Sequence, residues 1–156
     1  MGTRAFIISV KPNQKFDVMY VHHEGYPEWM MPILTTSITT TDQLKCLLKF
    51  RGITRLGQSP LVAVSHYEDG KYVENDFATR LLVDEGSGLD CVGLGDIAEY
   101  LRASWCLYFY VAVPKADGTV SWEVFEFSDD NLACLRLLEE LVALQKAHKR
   151  KLSLAV

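Results

Sequence analysis

Residues 4–10 constrain the fold more than any other segment, because their side chains are apolar on both alternating faces. In an extended chain, Ala5 and Ile7 lie on one side, and Phe6 and Ile8 lie on the other. A strand that meets water on one face alternates apolar with polar residues, whereas a strand covered on both faces does not. The segment therefore predicts a central strand with other elements packed on both sides.

Turn signals arrange most of the predicted strands in hairpins. Residues 11–15 are typical of a turn, so residues 16–22 are predicted to run antiparallel to the first strand about a centre near Asn13. The other predicted strands are residues 61–67, which precede an Asp-Gly turn at 68–71, and the aromatic hairpin of residues 105–113 and 120–127. The pattern indicates an antiparallel sheet built from hairpins.

Two helices are predicted after the first hairpin. Pro27 suits the first turn of one helix, which Pro32 is expected to interrupt or kink. Thr41 or Asp42 can cap the next helix, which is expected to continue to Phe50. Helices of this length can cover one face of a sheet.

A long C-terminal helix is the clearest helical pattern. Ser128 is a suitable N-cap, and Asp129 and Asp130 are expected in the first turn. Its apolar stripe consists of Leu135, Leu138, Leu141 and Val142, and its basic end consists of Lys146, His148, Lys149, Arg150 and Lys151. That basic end is interpreted as a solvated helix terminus or as a docking site for an acidic partner.

The composition predicts one globular α+β domain covering residues 1–156. The chain has 49% hydrophobic and 23% charged residues, which is enough apolar material for one core. A net charge of −4, with basic residues scattered outside the C-terminus, disfavours a nucleic-acid partner. The longest apolar run, residues 106–114, is too short to cross a bilayer, so no membrane partner is expected. Residues 75–94 indicate no clear element.

The cysteines predict a reducing compartment. Cys46, Cys91, Cys106 and Cys134 have apolar or helical neighbours and no Cys-x-x-Cys spacing. With no cleavable leader ahead of the first strand, the pattern predicts buried free thiols and a cytoplasmic location. The glycines of residues 86–95 lack the Gly-Lys-Ser/Thr ending of a phosphate loop, and no cofactor is predicted.

Residues 20–27 are the candidate functional segment, because they gather two of the four histidines, a carboxylate and two tyrosines at a strand exit. A hairpin centred near residue 13 pairs residues whose numbers sum to about 26. Arg4 is therefore expected opposite His22, and Thr3 opposite His23. Glu24 and Tyr26 follow directly, so the segment predicts a polar cluster at one end of the sheet.

The cluster allows three interpretations, of which a metal site is the least favoured. Adjacent strand residues point to opposite faces, so His22 and His23 are poorly placed to share a metal ion, and no metal site is predicted. The alternative catalytic set is His22, His23, Arg4 and Glu24, because a histidine near neutrality can be tuned by a neighbouring ion. The simpler interpretation is a hydrogen-bonded strand end whose Gly-Tyr-Pro sequence leads into a helix.

The residues after Pro27 and the candidate nucleophiles also have a structural interpretation beside a functional one. Trp29, Met30 and Met31 are interpreted as core side chains or as an adaptable binding surface. No serine occupies a Gly-x-Ser-x-Gly turn, and the cysteines lie in expected core positions, so no nucleophilic catalytic residue is predicted.

Two motifs stand close together in the N-terminal third, namely Met1-Gly2-Thr3-Arg4-Ala5 and Tyr20-Val21-His22-His23-Glu24-Gly25-Tyr26-Pro27, followed by Ile33-Leu34. They resemble a group of small uncharacterised proteins of phages, prophages and plasmids, in which a Thr-Arg-Ser/Ala strand precedes Tyr-x-His-x-Asp-Gly-Tyr. This chain has His23 where the group has Trp and Glu24 where it has Asp. The resemblance implies a mobile-element origin and transfers no activity.

The leading hypothesis is a phage or mobile-element accessory protein that acts by binding, as an inhibitor of a host defence system in the host cytoplasm. A host protein is the expected partner, and the oligomeric state is left open. The predicted contact residues are His22, His23, Glu24, Tyr26, Trp29 and Met30, with the acidic residues Asp84 and Glu85 as a further contact region. The alternative is a small metal-independent hydrolase or nucleotide-processing enzyme that uses the His, Arg and Glu cluster.

Overall fold

The computed structural model describes residues 3–11, 15–48, 52–53, 55–56, 63–68, 71–76, 89–93, 95, 97, 99, 106–127 and 129–154. The strands are β1 (Ala5–Val10), β2 (Phe16–Val21), β3 (Gly52–Ile53), β4 (Arg55–Leu56), β5 (Ala63–Glu68), β6 (Lys71–Asp76), β7 (Leu89–Val92), β8 (Tyr108–Pro114) and β9 (Val120–Glu126). The helices with established bounds are α1 (Pro27–Ser37), α2 (Thr41–Leu47) and α3 (Asn131–Leu154).

The main sheet has the strand order β3-β2-β1-β8-β9, and β7 also pairs with β2. The β1–β2 and β8–β9 hairpins are antiparallel, as predicted. β1 and β8, however, run parallel, with Ala5 opposite Tyr108. The prediction of a purely antiparallel sheet is therefore wrong, and the fold is α+β with a mixed sheet. Turn chemistry predicts pairing between neighbours in sequence, and it is silent on strands joined by a long connection.

β4, β5 and β6 form a second sheet, in the order β4-β5-β6. β5 and β6 are antiparallel, and Glu68 pairs with Lys71 across the predicted two-residue turn. The turn residues Asp69 and Gly70, like most of residues 75–94, lie outside the described part of the chain.

Both faces of β1 are buried, which confirms the prediction for residues 4–10: every residue of Ala5–Val10 is buried. One face packs with α1 and α2, and the opposite face packs with α3. The first core cluster includes Ala5, Ile7, Met19, Val21, Met30, Leu34, Leu44, Tyr110 and Trp122, and the second includes Phe6, Ile8, Phe16, Tyr20, Phe109, Cys134, Leu138 and Leu141. Because successive side chains of a strand point to opposite faces, the same strands contribute side chains to both cores.

The caps of α1 and α2 differ in part from the expectation. Pro27 lies at the start of α1 as predicted, but the helix continues through Pro32 to Ser37. Thr40, rather than Thr41 or Asp42, caps α2, because its hydroxyl accepts a hydrogen bond from the Gln43 amide in a capping box. α2 ends at Leu47, and the predicted endpoint Phe50 lies outside the described residues.

α3 begins at Asn131, so Asp129 and Asp130 precede the helix instead of lying in its first turn. The Asp130 carbonyl accepts from the Cys134 amide at 2.9 Å, while its carboxylate accepts from the Glu126 amide at 3.0 Å. Ser128 is outside the described residues. The predicted apolar stripe is confirmed, since Leu138 and Leu141 are buried in the second core.

Candidate functional site

The end of β2 bends back onto β1. The pairs from Ala5–Val21 to Val10–Phe16 all sum to 26, which confirms the predicted hairpin register. Beyond Val21 the register changes, because the Thr3 carbonyl accepts a hydrogen bond from the amide of Gly25 at 2.8 Å. The expected pairing of Thr3 with His23 is therefore wrong. Glu24, whose φ is 58°, adopts the left-handed conformation at this bend.

Gly25 is fixed from three directions. Its amide bonds to Thr3, and its carbonyl accepts a 2.5 Å hydrogen bond from the hydroxyl of Tyr110 on β8. A Cβ at this position would lie 2.6 Å from the Thr3 carbonyl oxygen and 2.8 Å from the Ala5 Cβ. A side chain would therefore force the backbones apart, which explains the glycine.

Tyr110 supplies this anchor from the core between the sheet and α1. Its side chain is fully buried. Burial, with smaller contributions from Tyr108 and Glu28, raises the pKa of Tyr110 well above its usual value. The hydroxyl therefore stays protonated and donates to Gly25. Sequence analysis missed this residue because nothing in a strand pattern distinguishes an anchoring tyrosine from an ordinary core aromatic.

His22 and His23 contact one another at the bend. Their ring centroids are 4.3 Å apart in an edge-to-face arrangement, and His22 Nδ1 lies 2.6 Å from the Tyr20 hydroxyl. The pKa of His22 is lowered from 6.5. Partial burial makes the largest contribution, and the nearby charges of His23 and Arg4 make smaller ones. His22 is therefore neutral at pH 7, and one of its ring nitrogens is already engaged by Tyr20.

Arg4, His22, His23, Glu24 and Tyr26 are brought together, and we call them the strand-end surface. Arg4 is exposed and the other four are half-buried. A hydrogen bond between the Glu24 carboxylate and Tyr26 raises the pKa of the Tyr26 hydroxyl. Tyr26 also occupies the N-cap position of α1 without a side-chain cap. These residues lie at one end of the β1–β2 hairpin, and their role as a functional site stays a prediction.

Met30 and Trp29 belong to the core more than to this surface. Met30 is fully buried, so its predicted contact with a partner is wrong in this structure, and its burial agrees with the core interpretation. Trp29 is half-buried, packs against the first core and donates through Nε1 to the Leu56 carbonyl at 2.8 Å. Its indole holds β4 against α1. Asp84 and Glu85, the further contact region, lie outside the described residues.

A second indole, which sequence analysis did not single out, joins α1 to the sheet. Trp122 on β9 donates through Nε1 to the Ile38 carbonyl at 2.8 Å. This bond satisfies a carbonyl at the C-terminal end of α1, where the helix leaves such groups without an internal partner. The two tryptophans fix α1 at both of its ends.

The remaining candidate chemistry is limited by burial. Burial raises the pKa of both Cys106 and Cys134 to about 12, so both are inert core thiols at neutral pH. Among the described residues, no group of three or more His, Cys, Asp or Glu side chains is placed to hold a metal ion.

None of the helices in the described part of the chain combines the length and the hydrophobicity needed to cross a bilayer. Comparison of the chain with protein-family models, with curated proteins and with solved structures finds no match.

Proposed function

We propose that the chain is an accessory protein of a phage or other mobile element that binds a host protein through the strand-end surface. The observation that carries this proposal is the anchoring of Gly25, which fixes the segment between His23 and Tyr26 before any partner arrives. A surface that is already ordered loses little conformational entropy on binding.

The side chains of the surface suit protein recognition. Tyrosine and arginine are enriched at protein interfaces because they combine apolar contact area with hydrogen-bonding groups. Here Arg4 lies close enough to His22 to lower its pKa, and Tyr26 is held by Glu24. The surface therefore offers both signs of charge in a small area, which favours a partner of mixed charge.

The mobile-element origin and the inhibitory role are inferred from the resemblance of the first 34 residues to proteins of phages, prophages and plasmids. A cytoplasmic host protein, such as a component of a defence system, is the partner class that this origin favours. The binding proposal itself depends on the geometry of the strand-end surface.

A metal-independent hydrolase or nucleotide-processing enzyme is the second candidate. It is favoured by the closeness of Arg4 to His22, which places a cation for an anionic substrate beside a neutral imidazole. Against it, a hydrogen bond with the Tyr20 hydroxyl engages one nitrogen of His22. In this scheme Arg4 would bind the anion, and His22 or His23 would transfer the proton.

A capture experiment with matched variants tests the binding proposal. The tagged protein is incubated with host lysate, and stoichiometric partners are identified by mass spectrometry. We expect Tyr26→Ala and His23→Ala to lose the partner, while Glu139→Ala, an exposed change on α3, retains it. Trp29→Ala is a poorer choice, because it also removes the bond to Leu56.

The two candidate functions predict different losses. In a binding protein, alanine substitutions across the surface should reduce affinity by graded amounts. In an enzyme, His22→Ala or His23→Ala should abolish turnover while leaving folding intact. A partner that Tyr26→Ala and His23→Ala retain as well as the control Glu139→Ala does would refute binding through the strand-end surface.

A further inference from the structure

The hydrogen bonds between β8 and β9 identify which backbone groups of β9 point to the outer edge of the sheet. The amide of Phe127 donates to the Leu107 carbonyl and the amide of Lys115 donates to the Thr119 carbonyl, each at 2.8 Å. These bonds and the register of β8 with β9 assign the odd-numbered residues of β9 to the bonds with β8. The even-numbered residues Val120, Trp122, Val124 and Glu126 therefore direct their amides and carbonyls outward.

The two ends of this outer edge are occupied by the protein itself. The Val120 amide donates to the Thr39 carbonyl at 2.9 Å, where the α1–α2 connection runs alongside. The Glu126 amide donates to the Asp130 carboxylate at 3.0 Å. Across the described residues, no group is bonded to the outward amides of Trp122 and Val124. Residues 122–124 thus carry outward backbone groups that are unbonded among the described residues, and we call them the edge window. Glu123 is exposed, Val124 is half-buried and Trp122 is 8% exposed.

The edge window is arranged against pairing with a second copy of the chain. In the antiparallel register that uses only the two windows, Trp122 of one copy lies opposite Val124 of the other. The exposed Glu123 then lies opposite the same residue of the second copy. In such a pair the Cα atoms are about 4.5 Å apart. Like charges placed opposite one another destabilise a sheet, and edge charges of this kind prevent self-association.

We propose that the edge window binds an extended segment of a different protein, with a lysine or arginine opposite Glu123. Such a strand would exchange four backbone hydrogen bonds with Trp122 and Val124 and extend the main sheet by β-augmentation. The cation would complement Glu123, in a protein whose net charge is −4. The edge window lies on β9, apart from the strand-end surface at the end of β1 and β2, so the proposal does not rest on the proposed function.

The test uses two acetylated and amidated pentapeptides, Thr-Val-Lys-Val-Thr and Thr-Val-Glu-Val-Thr, titrated into isotopically labelled protein. We expect the lysine peptide to shift the amide resonances of Trp122 and Val124 and to bind roughly fivefold more tightly than the glutamate peptide. With Glu123→Lys this preference should reverse.

Proline provides the backbone test. Val124→Pro removes an outward amide without removing a bond to β8, and edge strands accept proline at such positions. It should weaken the lysine peptide about tenfold, whereas the matched Val124→Ala should change binding little. Equal affinity for both peptides, shifts confined to other residues, or a wild-type protein that dimerises through β9 would each overturn the proposal. The wild-type resonance shifts decide the question if Val124→Pro fails to fold.

Discussion

The strand-end surface and the edge window differ in which part of the chain is available to a partner. At the strand-end surface, the backbone of Gly25 is fully used inside the protein, and the side chains of Arg4, His22, His23, Glu24 and Tyr26 remain partly exposed. At the edge window, the Trp122 indole is bonded to Ile38, and the outward backbone groups have no partner among the described residues. Unusual side chains therefore mark the first region, whereas only strand geometry reveals the second.

Among the substitutions that test this comparison, Gly25→Ala at the strand-end surface should lower the free energy of unfolding most. The new Cβ would meet the Thr3 carbonyl oxygen and the Ala5 Cβ inside ordinary contact distance, so the bend must move or β1 must shift. We expect the free energy of unfolding to fall by about 3 kcal/mol, measured by urea denaturation.

Gly118→Ala is the matched control for that change. Gly118 has a φ of 85°, and a Cβ there would meet nothing within 4 Å. Only backbone strain would remain, and the expected loss is about 1 kcal/mol. Equal losses for the two glycines would contradict the role of close packing at Gly25.

Proline substitutions in β9 should separate its two backbone edges. Glu123→Pro removes an amide that bonds to β8 and leaves its partner carbonyl unsatisfied, whereas Val124→Pro removes an outward amide. We expect Glu123→Pro to be less stable than Val124→Pro by about 2 kcal/mol, measured by thermal and urea denaturation. A larger loss for Val124→Pro would show that the outward amide has a partner within the protein.

Tyr110→Phe should weaken the anchor of the strand-end surface with little change in packing. The Gly25 carbonyl would lose its donor while staying near the core, at an expected loss of about 1.5 kcal/mol. Amide exchange at Gly25 and Tyr26 should become faster. Unchanged exchange at both residues would indicate that the Thr3 bond alone holds the bend.

The smallest expected effect is the pH dependence contributed by His22. Its pKa is lower in the folded protein than the usual 6.5, so the unfolded chain binds more protons between the two values. The contribution of His22 to stability is fully present above pH 6.5. It is lost as the pH falls from 6.5 through the lower pKa of the folded protein. Denaturation midpoints of the wild type and His22→Gln should therefore diverge as the pH drops below 6.5. Midpoints that change in parallel with pH would show that His22 does not contribute to the pH dependence of stability.

Much of the fold follows from local patterns. The double-sided apolar run of β1, the hairpin register that sums to 26, the Pro27 helix start and the α3 stripe were all predictable. Each depends on side-chain periodicity or turn chemistry within a short stretch, which sequence displays directly. Cap positions were predictable only to within a few residues, because Thr40, Thr41 and Asp42 are all acceptable caps.

The location of the candidate site at the end of β2 was predictable. The contacts within it were less so. The gathering of Arg4 with His22 and His23 follows from the hairpin, but the contact of Gly25 with Thr3 depends on the left-handed turn at Glu24. The burial of Met30 also depends on how α1 packs, since an apolar residue after a loop can face either the core or solvent.

By itself, the sequence determined the strands of the β1–β2 and β8–β9 hairpins, the terminal helix and the polar segment at the end of β2, because these depend on neighbours along the chain. It did not predict β3, β4 or β7. The tertiary structure decided that β1 and β8 are parallel and that Tyr110 reaches Gly25 across 85 residues. It also decided that the backbone amides and carbonyls of Trp122 and Val124 point to the outer edge of the sheet. These features depend on contacts between distant segments, and many pairings of distant strands are compatible with the same local patterns.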